Sequence, residues 1–323
     1  SKPFGGAEEV TFSPDGSSIV FCARDAGKSE AWSTNFDLYE VPLDGSAKPR
    51  CITKDNEAWD TNPVFSPDGK TLAYLAMARP GYEADRFRIV LYNWKTGNKR
   101  TLTEDWNLSP STIVWSPGSK KIYAKTDHVG QGALFEIDVR SGSRKLVRSE
   151  GNMRSPGFAG KLLVFGMDNL KSPVELYTMK TNGRNLNQIT KINANKLANI
   201  RMGDYEQFTF AGWNNETVHA YLVKPAEFDP AKKYPVAFLI HGGPQGSFGN
   251  DFHYRWNPQA YAGAGYAAVM VDFHGSTGYG QEFCDSIRGD WGGKPLEDLH
   301  KGVSAALDKY AFLDGDRVDA LGG

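Results

Sequence analysis

The sequence predicts two regions of different fold class: an all-β propeller over residues 1–200 and an incomplete α/β domain on a parallel sheet over residues 201–323. A strand pattern that recurs four times predicts the propeller. A change to continuously apolar strands alternating with helices predicts the second region. Aromatic residues make up 12% of the chain and 35 residues are glycine, which suits a turn-rich β protein better than a helical bundle.

The repeated unit of the first region has three landmarks in a constant order. The first is a turn and strand, which reads VTFSPDGSSIVF, PVFSPDGKTLAY, IVWSPGSKKIYA and, most weakly, SPGFAGKLLVFG. The second is a strand centred on an aromatic residue, as in DLYEV and VLYNW. The third closes each unit at Ile52, Leu102, Leu146 and Ile189. Three ordered landmarks in four copies indicate a true structural repeat.

The physics of one unit indicates a propeller blade. In Ser-Pro-Asp-Gly, proline presets φ, aspartate bonds its own backbone and glycine accepts a positive φ. A period of roughly 40 to 50 residues is typical of a four-stranded blade, and such a sheet must stack on its neighbours to bury both faces. We therefore predict four visible blades of a larger propeller, with further blades upstream. A β-sandwich with accidental internal similarity is the alternative.

The second region begins near Gly203 with two alternating strands. Residues 236–240, Val-Ala-Phe-Leu-Ile, are continuously apolar, as in a strand buried on both faces. A short helix, a second apolar strand at residues 266–271 and a glycine-rich loop follow. From Pro295 onward apolar residues recur at helical spacing, and residues 316–323, DRVDALGG, indicate another strand. Strands that alternate with helices predict a parallel sheet with crossover connections.

The motif that carries chemistry is His241-Gly242-Gly243-Pro244, at the carboxyl end of the first buried strand. Open α/β sheets bind ligands at this edge. Without a Cβ, a glycine turn can present backbone N–H groups to the oxyanion of an acyl-transfer intermediate. We therefore predict Gly242 and Gly243 as oxyanion donors of an incomplete α/β-hydrolase domain. The plainer alternative is a tight turn with His241 as a hydrogen-bonded core residue.

The end of the sequence matches the start of a nucleophile elbow, G-x-S-x-G, which turns from a strand into a helix. Gly322 supplies the first glycine and Gly323 the variable position, so we expect serine to be the next residue. In this fold the carboxylate and the histidine of the triad follow the serine. We therefore expect all three catalytic side chains beyond residue 323, and no peptidase activity from this chain alone.

Four stretches resemble the prolyl oligopeptidase family of serine peptidases: FLIHGGPQGSFG, YRWNPQAYAGAGYAAVMVDFHGSTGYG, GDWGGKPLEDL and DRVDALGG. The resemblance covers almost the whole chain and, through HGGPQG and the Arg255–Pro258 run, looks closest to the dipeptidyl-peptidase V group. It implies a propeller joined to an α/β-hydrolase domain. It also implies a serine exopeptidase that releases dipeptides from peptide N-termini through an acyl-enzyme.

The resemblance also implies roles for individual residues. The Gly243 N–H would be one oxyanion donor. His241 stands where some relatives carry a tyrosine, so it would shape the substrate pocket and not act as general base. Arg255 and Trp256 would line the substrate cleft, or else pack within the domain. Acidic propeller residues would bind the substrate ammonium, but the sequence does not rank the candidates.

Two further enzyme readings and one other class of function stay open. An acylaminoacyl-peptidase differs only in the N-terminal group that it accepts. A carboxylesterase is disfavoured because Pro244 replaces the third glycine of the usual HGGG turn. A non-catalytic propeller interaction module would explain the first 200 residues but not the glycine motif.

The loop at residues 275–280 has neither the spacing nor the lysine of a phosphate-binding loop; we interpret it as a structural loop near the pocket.

The composition bears on cofactors and partners. With 37 basic and 38 acidic residues the charges nearly balance, so the chain has no strong electrostatic field to attract nucleic acid or an anionic membrane. We therefore expect neither as a partner. Scattered histidines and three distant cysteines indicate no metal site, and we expect no cofactor. The expected partners are short peptide substrates, with a homodimer as one option. Secreted or periplasmic placement follows from the resemblance, with the cytoplasm as the alternative.

Overall fold

The computed structural model describes Gly6 and residues 9–322. The chain divides into two compact units. The first comprises residues 1–126, 134–148 and 155–163, and the second comprises residues 127–133, 149–154 and 164–323. The predicted domain boundary between residues 200 and 201 stays a prediction.

The first two predicted blades are separate four-stranded antiparallel sheets whose strands follow one another in chain order. The first sheet consists of β1 (Val10–Phe12), β2 (Ser18–Ala23), β3 (Asp37–Pro42) and β4 (Arg50–Cys51). The second consists of β5 (Asp60–Phe65), β6 (Thr71–Ala76), β7 (Arg88–Asn93) and β8 (Lys99–Thr101). Each sheet has the up-and-down order that the repeat predicts for a blade.

The Ser-Pro-Asp-Gly turns form as their residues predict. Gly16 and Gly69 adopt φ values of +71° and +70°, and the amide of each donates to the carbonyl of the serine that opens its turn. In the third copy a serine, Ser119, occupies this place with φ +56°. The backbone conformation is therefore kept where the sequence repeat weakens.

The third and fourth predicted blades are joined in one eight-stranded sheet. Gly132 of one pairs in parallel with Asn152 of the other, an approach that only a glycine permits because a Cβ there would lie 2.9 Å from the Asn152 Cα. The faint fourth turn motif falls inside a strand, and the real turn lies at Gly160. No closed ring of sheets is found among the residues described. The strands are β9 (Pro110–Trp115), β10 (Lys121–His128), β11 (Gln131–Asp138), β12 (Arg144–Arg148), β13 (Asn152–Ala159), β14 (Leu162–Asn169), β15 (Ser172–Lys180) and β16 (Asn187–Gln188).

The second unit contains a five-stranded mixed sheet in the order β17-β18-β20-β19-β21. The three strands β20, β19 and β21 run parallel, as the alternating pattern predicts, and β18 joins β20 in antiparallel register. The strands are β17 (Tyr205–Ala211), β18 (Thr217–Val223), β19 (Tyr234–Leu239), β20 (Ala267–Asp272) and β21 (Leu313–Leu321). The helices are α1 (Ala194–Leu197), α2 (Pro258–Gly263), α3 (Gln281–Asp285) and α4 (Lys294–Lys309).

Both faces of this sheet are buried, which explains the continuous apolar run in β19. Val236 and Phe238 point into one core with Ala306 of α4, and Ala237 and Leu239 point into the other with Ala262 of α2. A strand that is covered on both sides must be apolar at every position, not at alternate ones.

Candidate active site

The carboxyl ends of the parallel strands β19, β20 and β21 lie at one edge of the sheet. The segments that follow them, from Ile240, Phe273 and Gly322, therefore lie side by side. The Ile240 amide donates to the Leu321 carbonyl across 2.7 Å, which continues the pairing to the end of β21. This is the edge at which open α/β sheets place ligands. Gly323 lies outside the described residues.

The glycine turn, residues 241–246, is a tight bend that requires glycine at position 243. Gly243 adopts φ +130°, and a Cβ on it would lie 2.6 Å from the Gln245 amide nitrogen. Gly242 and Gly243 are exposed. Within the described part of the chain neither of their amides has a hydrogen-bond acceptor. Two uncommitted N–H groups are what a developing oxyanion requires.

The imidazole of His241 is buried and bonded at both ring nitrogens. Nδ1 lies 3.0 Å from the Gly242 carbonyl oxygen, and Nε2 lies 2.9 Å from Ser276 Oγ. A carbonyl only accepts, so Nδ1 donates to the Gly242 carbonyl, and Nε2 is bonded to the Ser276 hydroxyl. Ser276 has no exposed surface, so this pair cannot attack a peptide. The arrangement agrees with a pocket-shaping role for His241, which stays a prediction.

Asp272, at the end of β20, is a buried carboxylate next to the glycine turn. Its Oδ2 accepts hydrogen bonds from Ser247 Oγ at 2.8 Å and from the Tyr279 hydroxyl at 2.5 Å. Its other oxygen, Oδ1, lies 3.9 Å from His241 Nε2. Burial raises the pKa of Asp272, although the nearby His241 and these hydrogen bonds act against the rise.

A cavity of about 210 Å³ opens beside the glycine turn. His241, Gly242 and Gly322 border it, so it touches both the turn and the end of β21. Its remaining wall is mainly apolar, and among the described residues that line it Asp251 is the one carboxylate. Asp251 pairs with Arg154, which also binds the buried Asp168. A small apolar cavity with few polar groups is the usual form of a ligand site.

Of the two residues predicted to line the cleft, Trp256 is among the described residues on the cavity wall and Arg255 is not. Trp256 lies on the cavity wall with 45% of its surface exposed. Arg255 is exposed and is not among the described residues that line the cavity; its guanidinium stacks on Trp256, 4.9 Å from the ring centroid. The role of both residues in substrate binding stays a prediction.

Sequence reasoning did not assign Asp272, Ser276 or Asp251 to the site. Ser276 lies within the glycine-rich loop at residues 275–280, and its hydroxyl is bonded to His241 Nε2. A polar residue at the end of an otherwise apolar strand was the available signal for Asp272.

The described residues contain no group of three or more metal-binding side chains. Among them no helix combines the length and the apolar character needed to cross a membrane.

Comparison with known proteins gives one consistent picture. Residues 252–323 match the sequence model of the prolyl oligopeptidase family. The chain is 35% identical over 337 residues to dipeptidyl-peptidase 5 of Arthroderma otae. It is 36% identical over 336 residues to a probable dipeptidyl-peptidase 5 of Emericella nidulans. Each alignment covers 99% of this chain and 46% of the relative.

Solved structures show the same fold. The acylaminoacyl peptidase of Pyrococcus horikoshii superposes with a TM-score of 0.78 at 22% identity, over 97% of this chain and 47% of that one. The chain thus spans about half the length of the relatives that it matches, in sequence and in structure.

Proposed function

Since the chain belongs to the prolyl oligopeptidase family, we propose that the protein is a serine exopeptidase that releases dipeptides from the N-termini of short peptides. The observation that carries the proposal is the pair of uncommitted amides at Gly242 and Gly243, beside the end of β21. An interaction module has no need for such a turn. The names of the curated relatives support dipeptide release.

The chemistry proposed is acyl transfer. A serine hydroxyl directly after Gly323 attacks the scissile carbonyl and gives its proton to a histidine base. The Gly243 N–H donates to the resulting oxyanion. Collapse expels the amine with that proton and leaves an acyl-enzyme, which water hydrolyses. We place the serine, carboxylate and base in the part of the relatives' length that this chain does not span.

His241 supports the turn but does not act on the substrate in this proposal. Its Nδ1 donates to the Gly242 carbonyl and its Nε2 is bonded to Ser276 Oγ, so no ring N–H is left to point at the reacting carbonyl. The backbone donors therefore carry the oxyanion stabilisation. Removing one such donor typically lowers kcat by about 100- to 1,000-fold. The cavity bordered by Trp256 would hold part of the substrate.

The test uses the full-length protein and two fluorogenic reporters, a dipeptide amide with a free amino group and the same amide carrying an N-acetyl group. We expect the free amine to be cleaved and the acetylated reporter to be a poor substrate. Alanine at the position directly after Gly323 should abolish turnover. The 323-residue chain is expected to cleave neither reporter.

Acylaminoacyl-peptidase activity is the second candidate, because the structural neighbour at TM-score 0.78 has that name. The same pair of reporters decides: a preference for the acetylated compound identifies this activity. No turnover of either reporter by the full-length protein would contradict both peptidase proposals and leave the interaction module. Secretion or periplasmic placement and a homodimer stay predictions.

A further inference from the structure

A single loop holds the glycine turn from the side of β20. We call residues 272–280 the clamp loop. Ser276 Oγ bonds to His241 Nε2 at 2.9 Å, and the Thr277 amide donates to the Gly246 carbonyl at 2.9 Å. Asp272 accepts from Ser247 at 2.8 Å, one residue after the turn. The clamp loop therefore contacts the turn at its beginning and its end.

The clamp loop is itself anchored at His274. The backbone amide and Nδ1 of His274 both lie close to Asp298 Oδ2, at 2.7 and 2.6 Å. Asp298 belongs to α4, and its other oxygen accepts from the Trp213 amide at 2.7 Å. His274 is 1% exposed and Asp298 0%. Asp298 thus fastens the loop to the helix through two bonds.

The path from the anchor to the turn is short and closely packed. Gly275 is the one residue between His274 and Ser276, and it has φ +103°. A Cβ on Gly275 would lie 2.3 Å from Ile287 Cδ1, so the loop packs closely against Ile287 at this position. The His274 ring stacks on Phe283 with centroids 4.3 Å apart. A change at His274 is therefore expected to reach Ser276 without being absorbed on the way.

The charges around His274 favour its protonated form. Asp298 on α4 and Glu216, whose Oε2 lies 3.1 Å from Nε2, both face the ring. Two lysines also lie nearby: Lys294 lies over the Trp213 ring and acts on Glu216 through its charge, and Lys301 binds the Gly212 carbonyl and Glu297. Burial lowers the pKa of His274, but the hydrogen bonds to Asp298 and Glu216 outweigh it and raise this pKa above its ordinary value.

We propose that His274, held by Asp298, is a positioning residue that sets the glycine turn through Ser276. The inference rests on the proposed function of that turn. With both ring nitrogens protonated, His274 donates to Asp298 and to Glu216. When Nε2 loses its proton, its lone pair faces the Glu216 carboxylate, that contact is lost, and the loop relaxes at Ser276.

The first experiment is NMR of the 323-residue chain with ¹⁵N-labelled histidine rings. At pH 6.5, the ordinary pKa of histidine, more than half of His274 should be protonated at both nitrogens. His241 Nδ1 should be protonated, because its partner is a carbonyl oxygen. As the pH rises and His274 titrates, the His241 Nε2 and the Ser276 amide signals should shift with the same midpoint. Independent midpoints would overturn the proposal.

Variants separate positioning from simple stabilisation. H274R keeps a permanent cation with several donors and should preserve the His241 signals while removing their pH dependence. H274Q removes the charge and should shift those signals at every pH. H300Q is the control, at an exposed histidine of α4, the helix that carries Asp298. It should change neither the His241 signals nor their pH dependence. A folded H274Q with unchanged His241 signals would refute the role. If H274Q does not fold, the wild-type titration decides.

Kinetics of the full-length protein give the second measure. H274Q should lower kcat by roughly 10- to 100-fold with KM nearly constant, because a misplaced donor affects the transition state. A purely structural role would lower the melting temperature and the active fraction but leave the pH profile of the remaining activity unchanged. The two proposals fail separately, since coupled NMR titration without any reporter cleavage would contradict only the peptidase function.

Discussion

The ring of His241 lies flat against the ring of Phe273, with centroids 4.3 Å apart and planes 11° apart. This stacking fixes the ring plane, and the bond from Ser276 fixes its rotation within that plane. The first residue of the glycine turn is therefore held by two residues of the clamp loop, Phe273 and Ser276. The bend at Gly242 and Gly243 therefore starts from an anchored residue, and substitutions there have predictable effects.

Replacing Gly243 with alanine should disable the turn. At φ +130° an alanine is strained, and its Cβ would lie 2.6 Å from the Gln245 amide nitrogen. The bend must open, which moves the amide proposed as the oxyanion donor. In the full-length protein we expect G243A to lower kcat by about 100-fold or more. Reporter kinetics measure this.

The control for this substitution is G263A, near the end of α2. A Cβ at Gly263 has no neighbour within 4 Å. Its kcat should stay within about twofold of wild type, with stability equal or slightly higher because alanine favours helix. If G243A and G263A were equally active, the turn would not be the oxyanion site.

Replacing Asp272 with asparagine should stabilise the second unit at neutral and alkaline pH. Burial raises the pKa of Asp272, so the folded state binds this proton more tightly than the unfolded state does. Its contribution to stability is present at low pH and is lost as the pH rises through the raised pKa. The advantage of D272N over wild type should therefore grow as the pH rises above the ordinary pKa of aspartate.

Urea unfolding of the 323-residue chain at several pH values checks this prediction. D308N, at an exposed aspartate of α4, serves as the control and should give a curve parallel to wild type. A D272N advantage that is constant or shrinks as the pH rises would show that the carboxylate is fully compensated in the folded state.

Asp60 should make the stability of the first unit depend on pH in the same direction. Burial raises its pKa to about 8, against hydrogen bonds from neighbouring polar side chains that lower it. Oδ1 accepts from Asn56 Nδ2 at 2.9 Å, while Oδ2 is buried with no hydrogen-bond partner in the described structure. Stability should fall as the pH rises from about 4 toward 8.

D60N should remove this loss and gain on the order of a few kcal/mol over wild type at the alkaline end of the range. D44N is the comparison for which the opposite pH dependence is expected. Hydrogen bonds from Ser46 lower the pKa of Asp44, so the contribution of Asp44 to stability is lost as the pH falls. Thermal unfolding followed by circular dichroism measures both. A D60N curve that runs parallel to wild type would contradict the raised pKa.

Trp256 gives a test of the cavity. In the full-length protein, W256A should raise KM by roughly 3- to 10-fold with little change in kcat, because it removes apolar wall that contacts the bound substrate in the ground and transition states alike. W291A, at an exposed tryptophan outside the cavity lining, should leave both constants unchanged. Equal effects of the two variants would place the substrate elsewhere.

Much of the fold was predictable because its signals are local. Alternating apolar residues and Ser-Pro-Asp-Gly turns predicted the four-stranded sheets. The apolar run at residues 236–240 predicted a doubly covered strand, observed at Tyr234–Leu239. The position of the glycine turn at the end of this strand was also predictable, because the strand and the turn are adjacent in sequence.

The joining of the third and fourth repeats was not predictable. It depends on one backbone approach, between Gly132 and Asn152, and no periodicity in either strand encodes it. The weak fourth copy of the turn motif was misleading for a related reason, since the residues that turn the chain lie a few positions further on, at Gly160.

The sequence alone determined which strands are buried, where the chain turns and which glycines lie at the carboxyl edge, because propensity and hydrophobic period act over a few residues. The tertiary structure decided which side chains hold that edge. Ser276 meets His241, and Asp298 meets His274, only because the loop after β20 packs between the glycine turn and α4. Such partners are distant in sequence, and a contact between them depends on how whole elements pack, which no local pattern records.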